Sequence, residues 1–243
     1  MKLIVTYYDE DLSWISCAAR YCDVEVISKG GRQVFVNPAD RIKVVPTDNG
    51  GGNQLDILRT IVENYESFPD RMAFCQGWPF DHCMHHQFYE SIMHERRGPL
   101  EKLDNPPKNS AWRYSEEVDG GFVEINNSWY ITHLNKKYSG SGGAYNGTSI
   151  SSFDDFMFGL FANYKKIKYV RFSPGSQYIV SCFDIWKYPI EFWEALGAII
   201  PKSPELNGGV EAHVIERALF HIFYGLLCLR VDYKDYLNRL TSA

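Results

Sequence analysis

No apolar run in the sequence is long enough to cross a lipid bilayer. The longest candidate, residues 218–229, contains His221 and is followed directly by Arg230. The N-terminal residues turn acidic after a short apolar start, and they lack the apolar core and small-residue cleavage site of a signal peptide. We therefore expect a cytoplasmic protein without a membrane span.

Cysteines and positive charges are both sparse. Six cysteines are scattered over 243 residues, whereas small disulfide-rich secreted proteins space theirs more densely. Free thiols in a reducing compartment are therefore expected. The 25 Lys and Arg residues are outnumbered by 30 Asp and Glu residues, giving a net charge of −5. Without a global basic field, a nucleic-acid partner is disfavoured.

Two common nucleotide-binding motifs are absent. Gly50, Gly51 and Gly52 precede a predicted helix, so their backbone amides could face an anion. No Gly-Lys-Ser/Thr follows them, and the dinucleotide pattern GxGxxG is not matched. A P-loop NTPase and a Rossmann dehydrogenase are therefore disfavoured, while a plain turn remains an alternative interpretation of the three glycines.

Strand-like runs alternate with amphipathic segments through residues 1–95, which predicts an α/β fold. A mostly parallel, Rossmann-like sheet flanked by helices is expected within one domain over residues 1–243. Residues 98–150 are rich in glycine and proline, and they predict a loop-rich insertion that shapes an acceptor pocket or has no role. The predicted strands are 3–7, 24–27, 42–45, 72–75, 169–172 and 177–181, and the predicted helices include 55–65, 189–200 and 210–229.

Polar residues and glycines follow the first four predicted strands. In an open parallel sheet, ligands bind beyond the carboxyl ends of the strands. These positions suit a ligand that carries phosphate, and the candidates are Tyr8, Glu10, Lys29, Asn49, Gly51 and Gln76.

The stretch FCQGWPFDHCMHH, residues 74–86, suggests a metal site. Asp81 and His82 follow the fourth strand, where oxygen and nitrogen ligands could hold Mg²⁺ or Mn²⁺ against a pyrophosphate. Cys83, His85 and His86 resemble a zinc set, but their spacing matches no standard zinc pattern. A catalytic divalent ion, a structural zinc and no metal all remain open.

Glu216 is the candidate general base in the C-terminal half. It lies on a predicted helix, directly before an apolar and aromatic stretch. A carboxylate in a cleft can deprotonate an acceptor hydroxyl. The alternative is a glutamate on a solvated helix face.

These motifs together resemble a large family of uncharacterised proteins, grouped as a domain of unknown function, that look like glycosyltransferases of the GT-A fold. A weaker similarity extends to viral sugar-transferring domains of the same fold. The chain departs from the family at Gly52-Asn53, where the family tends to have Arg-Glu, and it has Phe80-Asp81-His82 instead of Asp-x-Asp. The matching stretches are Tyr8–Trp14, Lys29-Gly30, Asn49–Gly51, Leu58–Pro69 at intervals, Phe74–His82, Pro174–Ser181, and Glu216 with Phe223 and Gly225.

The resemblance implies transfer of a sugar from a nucleotide-sugar donor to a hydroxyl on a glycan or another acceptor. It implies that Asp81 and His82 bind the diphosphate through Mn²⁺ or Mg²⁺, that Glu216 acts as base, and that residues 98–150 help select the acceptor. Two alternatives stay open: a metal-dependent hydrolase using Asp81, His82 and His86, and a non-catalytic carbohydrate-binding protein. The implied donor-binding residues are Tyr8, Glu10, Lys29, Asn49, Gly51, Gln76 and Gln177.

Overall fold

The structure is a computed structural model, and it describes most of the chain outside residues 100–149. Asn49, Gly51 and His82 lie outside the described residues, as does most of the predicted insertion, and only the backbone of Asp81 is described. The described residues are 1–30, 33–36, 40–48, 50, 52–81, 85–94, 98–99, 123–124, 150, 153–166, 169–170, 173–200 and 209–242.

A six-stranded sheet with the order β3-β2-β1-β4-β8-β5 forms the centre of the protein. Strands β1 to β4 run parallel to one another, β8 pairs antiparallel with β4, and β5 pairs antiparallel with β8. The predicted α/β fold with a mostly parallel sheet is therefore confirmed. The strands are β1 (Lys2–Tyr7), β2 (Asp23–Lys29), β3 (Ile42–Thr47), β4 (Arg71–Gln76), β5 (Gly98–Pro99), β6 (Val123–Glu124), β7 (Tyr169–Val170) and β8 (Tyr178–Ser181).

Helices cover both faces of the sheet. Since alternate residues of each central strand point to opposite faces, each strand contributes to two buried clusters. In β1, Leu3 and Val5 join one buried cluster, which contains residues of the helix α3, while Ile4 joins the other. The second cluster is the larger one and includes residues of α2, α4, α6, α7 and α8. The helices are α1 (Ile15–Ala18), α2 (Gly52–Glu63), α3 (His85–Met93), α4 (Phe153–Leu160), α5 (Cys182–Trp186), α6 (Ile190–Ala198), α7 (Gly209–Tyr224) and α8 (Tyr233–Thr241).

Two predicted elements differ from the observed ones in length or pairing. The helix predicted to reach residue 229 ends at Tyr224, and the amide of Gly225 donates to the carbonyl of His221 at 2.9 Å. A Cβ at Gly225 would overlap that carbonyl, so glycine suits the helix end. Of the strand predicted over 169–172, the structure describes Tyr169–Val170, and these residues pair with β6 in a separate two-stranded sheet.

Neither a membrane-spanning helix nor a disulfide is observed in the part of the chain that the structure describes. No helix there combines the length and the apolar character that crossing a bilayer would need. The described cysteines, none of them in a disulfide, are Cys17, Cys22, Cys75, Cys182 and Cys228.

Gly159 lets α4 pack closely against α8, and we expect Gly159→Ala to destabilise the protein. A Cβ at residue 159 would overlap the ring of Tyr236. Overpacking of this kind costs about 1–3 kcal/mol, which a lower midpoint of urea unfolding would show.

Gly197→Ala is the matched control, because Gly197 is also the next-to-last residue of a helix. A Cβ there would lie 3.7 Å from the Cβ of Leu58, which is an ordinary contact. This variant is expected to equal or exceed the wild type in stability, since alanine favours helices over glycine by about 1 kcal/mol. Equal losses in the two variants would contradict the proposed overlap with Tyr236.

Candidate functional site

The order of the strands makes the carboxyl ends of β1 and β4 a topological switch point, where a ligand crevice is expected. The chain runs from β1 outward to β2 and β3, and then crosses back to β4 on the other side of β1. Loops that leave the sheet at such a switch point diverge, and ligands of open α/β sheets bind in the space between them. The candidate site is therefore at the ends of β1 and β4.

The loops that follow β1 and β4 contact each other directly. A Cβ at Gly77 would lie 2.5 Å from Oε2 of Glu10, so only glycine leaves room for this carboxylate. The indole Nε1 of Trp14 donates a hydrogen bond to the carbonyl of Gly77 at 2.7 Å. The predicted residue Glu10 therefore lies against the end of the fourth strand, about 67 positions away in the sequence.

Glu10 also shapes its own loop. Its Oε2 accepts hydrogen bonds from the amides of Tyr8 at 2.8 Å and Asp9 at 3.1 Å. The side chain of Tyr8 is 45% exposed. Glu10 therefore fixes the backbone of the loop, while the ring of Tyr8 remains accessible to a ligand.

A cleft of about 300 Å³ lies between the loop after β1 and residues 33–36. This volume is at the lower end of the range for small-molecule sites in proteins. Phe35 on its rim is 85% exposed. Sequence reasoning missed Gln33 and Phe35, because residues 33–36 have no strand or helix periodicity that would mark them. The polar and aromatic side chains that line the cleft include Tyr7, Asp11, Ser13, Gln33 and Phe35.

Lys29 binds the loop between β3 and α2 rather than open solvent. Its Nζ lies 3.0 Å from Oδ2 of Asp56, and it donates to the carbonyls of Gly50 at 3.2 Å and Gly52 at 3.0 Å. Both side chains of the ion pair are buried. Burial raises the pKa of Asp56, although the Lys29 ammonium acts in the opposite direction. Lys29 therefore holds the backbone at Gly50 and Gly52, where α2 begins. Its predicted contact with a donor stays a prediction.

Residues 173–177 form a turn beside the end of β4, in which Ser173, Ser176 and Gln177 are buried. Gly175 and Ser176 both have positive φ angles, of 69° and 55°. A Cβ at Gly175 would lie 2.5 Å from Oε1 of Gln76, so the turn needs glycine for its φ and for space. The hydroxyl of Ser176 accepts a hydrogen bond from Nε2 of Gln54 on α2 at 3.0 Å. The turn therefore joins β4 to α2.

Two glutamines hold the segment that follows β4. Nε2 of Gln76 donates to the carbonyl of Trp78 at 2.8 Å, and Nε2 of Gln177 donates to the carbonyl of Pro79 at 3.1 Å. Gln177 is fully buried. Together they position the short 3-10 turn Pro79–Asp81, which contains the predicted catalytic aspartate. A direct contact of Gln177 with a donor stays a prediction.

Glu216 reaches from α7 into the same turn. Its Oε1 accepts a hydrogen bond from the amide of Gly175 at 2.9 Å, and its Oε2 binds Nη1 of Arg217. Burial acts to raise the pKa of Glu216. The cation of Arg217, the neighbouring His213 and the Gly175 amide outweigh burial and hold that pKa below its ordinary value. Glu216 is therefore an ionised carboxylate that is bound on both oxygens.

The described residues do not form a metal site by themselves. Among them, no group of three or more His, Cys, Asp or Glu side chains is placed to hold an ion. The carboxylate of Glu10 binds amides, that of Glu216 binds an amide and a guanidinium, and the ring of His85 packs on Phe80. The predicted metal depends on Asp81 and His82, whose side chains lie outside the described part, and it stays a prediction.

In comparisons with known proteins, no family model, no curated protein and no solved structure matches the chain. The class is therefore defined by the fold and the site alone. They define an α/β protein with a Rossmann-like, mostly parallel sheet and polar loops in contact at the switch point between β1 and β4.

Proposed function

We propose that this protein is a GT-A-like cytoplasmic glycosyltransferase that moves a sugar from a nucleotide-sugar donor to a hydroxyl of a glycan or another acceptor. One observation carries the proposal. Residues from four separate stretches that resemble the family contact one another at one edge of the sheet. The contacts are Glu10 with Gly77, Gln76 with Gly175, Gln177 with Pro79, and Glu216 with Gly175.

The donor's nucleoside occupies the cleft beside β1 in this proposal. Tyr7 and Phe35 offer aromatic faces to the ring system of the base, and Asp11 and Gln33 offer polar groups. Tyr8 follows β1 at the edge where β3 also ends, because the two strands run the same way. Asn49 and Gly51 lie outside the described residues, and their contact with the donor is part of the proposal. The cleft is thus the proposed nucleotide site, and its aromatic rim gives it a testable residue.

The diphosphate lies beyond the end of β4, near the turn Pro79–Asp81. Asp81 and His82 are the residues we propose to hold Mn²⁺ or Mg²⁺, and such an ion would offset the charge of the leaving group. The glutamines Gln76 and Gln177 support this proposal, since they fix the backbone on which Asp81 stands. Residues 98–150 would then help select the acceptor.

A panel of nucleotide sugars tests the proposal. UDP-, GDP-, CDP- and ADP-linked sugars are added to the purified protein with and without Mn²⁺, and thermal unfolding is measured. A ligand at 100 times its Kd stabilises the protein by about 2.7 kcal/mol. This corresponds to a rise in Tm of roughly 5–10 °C for a chain of this size. Sugars linked to one nucleotide class are expected to produce this rise in Tm.

The opposite results are equally specific. A panel in which no nucleotide sugar raises Tm, with or without metal, would overturn the proposed function. Tightly bound zinc in the purified protein would instead favour the metal-dependent hydrolase. Binding of free sugars without any affinity for nucleotides would favour the non-catalytic carbohydrate-binding protein.

A pair of exposed phenylalanines shows whether binding occurs in the cleft. Phe35→Ala is expected to weaken nucleotide binding by about 2- to 10-fold, the value of one aromatic contact. Phe183→Ala is the control, because Phe183 is 78% exposed. Phe183 also follows β8, whose carboxyl end lies at the opposite edge of the sheet. Equal effects of the two substitutions would place the nucleotide outside the cleft.

A further inference from the structure

Glu216 is poorly suited to take up a proton from an acceptor. Both of its oxygens are bound, one by the Gly175 amide and the other by the buried guanidinium of Arg217. Although burial acts to raise it, the pKa of Glu216 is held below the ordinary value by Arg217, by His213 and by the Gly175 amide. A general base works best when its pKa is near the operating pH, so a carboxylate with a lowered pKa is a weak one.

His213 is the neighbouring group with suitable chemistry. It lies on α7, one helical turn before Glu216 and Arg217, and its side chain is 48% exposed. Its Nδ1 lies 4.0 Å from Oε2 of Glu216. An imidazole whose Nδ1 faces a carboxylate can accept a proton at Nε2.

The contacts of Glu216 link His213 to the crevice. Glu216 binds the amide of Gly175, and Gly175 lies against the side chain of Gln76 at the end of β4. This part of α7 is therefore next to the strand whose carboxyl end borders the proposed site. An exposed imidazole on the same turn of the helix can meet an acceptor that enters from solvent.

We propose that Nε2 of His213 accepts the proton of the acceptor hydroxyl and that Glu216 is a positioning residue for the imidazole. This inference rests on the proposed glycosyltransferase function. The hydroxyl oxygen forms a bond to the anomeric carbon of the donor, and its proton passes to Nε2. The bond from that carbon to the diphosphate oxygen breaks, and its electron pair leaves with the nucleoside diphosphate.

The test is the release of nucleoside diphosphate by His213→Ala. The probes are the UDP-, GDP-, CDP- and ADP-linked sugars, with water, glycerol and simple saccharides as acceptors. Loss of a general base is expected to lower kcat by about 10²- to 10⁴-fold. The Kd of the donor, measured by calorimetry, is expected to remain that of the wild type. Added imidazole is expected to restore turnover in proportion to its concentration, which a structural role of His213 would not allow.

Two further variants separate positioning from catalysis. Glu216→Gln is expected to lower kcat by about 10-fold or more, a smaller loss than in His213→Ala, because the imidazole of His213 is displaced but still present. Added imidazole is not expected to rescue this variant. Glu211→Ala removes a carboxylate from the same helix and is expected to match the wild type in kcat.

The outcomes distinguish this inference from the proposed function. Wild-type kcat in His213→Ala, a loss of donor affinity instead of kcat, or a loss of kcat without imidazole rescue would overturn the role of His213 alone. A wild-type protein that neither binds nor cleaves any nucleotide sugar would overturn both.

Discussion

Replacing Lys29 by methionine is expected to lower the free energy of unfolding by about 3–5 kcal/mol, because the substitution leaves one charge of a buried ion pair without its partner. Lys29 and Asp56 are both buried, and their charged atoms are 3.0 Å apart. Methionine retains most of the length of the lysine side chain and removes only the ammonium group. The loss would appear as a lower midpoint of urea unfolding at neutral pH.

The loss of stability in Lys29→Met should become smaller as the pH falls. Burial already raises the pKa of Asp56 above its ordinary value in the folded protein. Without Lys29 this pKa rises further, so the folded state binds a proton more tightly than the unfolded state does. The variant therefore regains stability as the pH falls from neutral into the acid range. A loss that is constant between pH 7 and pH 4 would contradict the assignment to Asp56.

A double variant and a surface control complete this experiment. Lys29→Met with Asp56→Leu removes both charges and is expected to return the stability to within about 1 kcal/mol of the wild type. Lys43→Met breaks the pair that Lys43, 71% exposed, makes with Glu25 on the neighbouring strand. Exposed pairs contribute less than about 1 kcal/mol. If the double variant is as unstable as the two single variants combined, the two residues act independently.

The same double variant can separate the two roles of Lys29. In the folded protein, Lys29 binds two carbonyls of the loop that leads into α2. A stable double variant with unchanged affinity for the nucleotide would show that Lys29 acts through this loop or on stability alone. A large loss of affinity in a stable double variant would favour the direct donor contact that the resemblance implies.

Replacing Glu216 by alanine is expected to have the second large effect, again about 3–5 kcal/mol, through the buried cation that remains. Arg217 is buried and loses its ion pair with Glu216, while its Nη1 still donates to the carbonyl of His213. The amide of Gly175 loses its acceptor at the same time. Glu211→Ala, on the same helix, is the control and is expected to change the stability by less than about 0.5 kcal/mol.

The effect of Glu216 on stability should decline in acid. The pKa of this carboxyl is lower in the folded protein than its ordinary value, despite the opposing effect of burial, because Arg217 and its other partners stabilise the charged form. Its contribution is therefore complete above the ordinary glutamate pKa and is lost as the pH falls through the folded value. The free energies of unfolding of the wild type and Glu216→Gln, compared at pH 7 and pH 3, measure this decline. A larger difference at pH 3 than at pH 7 would contradict it.

The periodicity of the sequence predicted the strands of the parallel sheet well, because local patterns decide them. The first and fourth strands were expected at 3–7 and 72–75, and they are observed at Lys2–Tyr7 and Arg71–Gln76. Both faces of each strand are buried, so each strand is a continuous, mostly apolar run in the sequence. The helix α2 was predicted for the same reason, from Leu55, Leu58 and Ile61.

The contacts of the candidate site depend on residues that are far apart, and the sequence could not predict them. No local sequence pattern predicts the pair of Lys29 and Asp56, although an aspartate beside the apolar face of a helix is a weak signal of a buried partner. The left-handed conformation of Ser176 is also unexpected for a serine, and the surrounding turn imposes it. Glu216 was predicted to be the general base, but its two occupied oxygens became visible only with the turn at Gly175 in place.

The pairing of β4 with β8 has a consequence for synthesis on the ribosome. Phe74 pairs with Tyr178, and the chain between them is about a hundred residues long. At a translation rate of roughly 5–20 residues per second, this segment takes about 5–20 seconds to emerge. During that time β1 to β4 can already pair, while the outer edge of β4 offers unsatisfied amides and carbonyls to any other extended chain. Newly made protein is thus most exposed to aggregation before residue 178 leaves the exit tunnel.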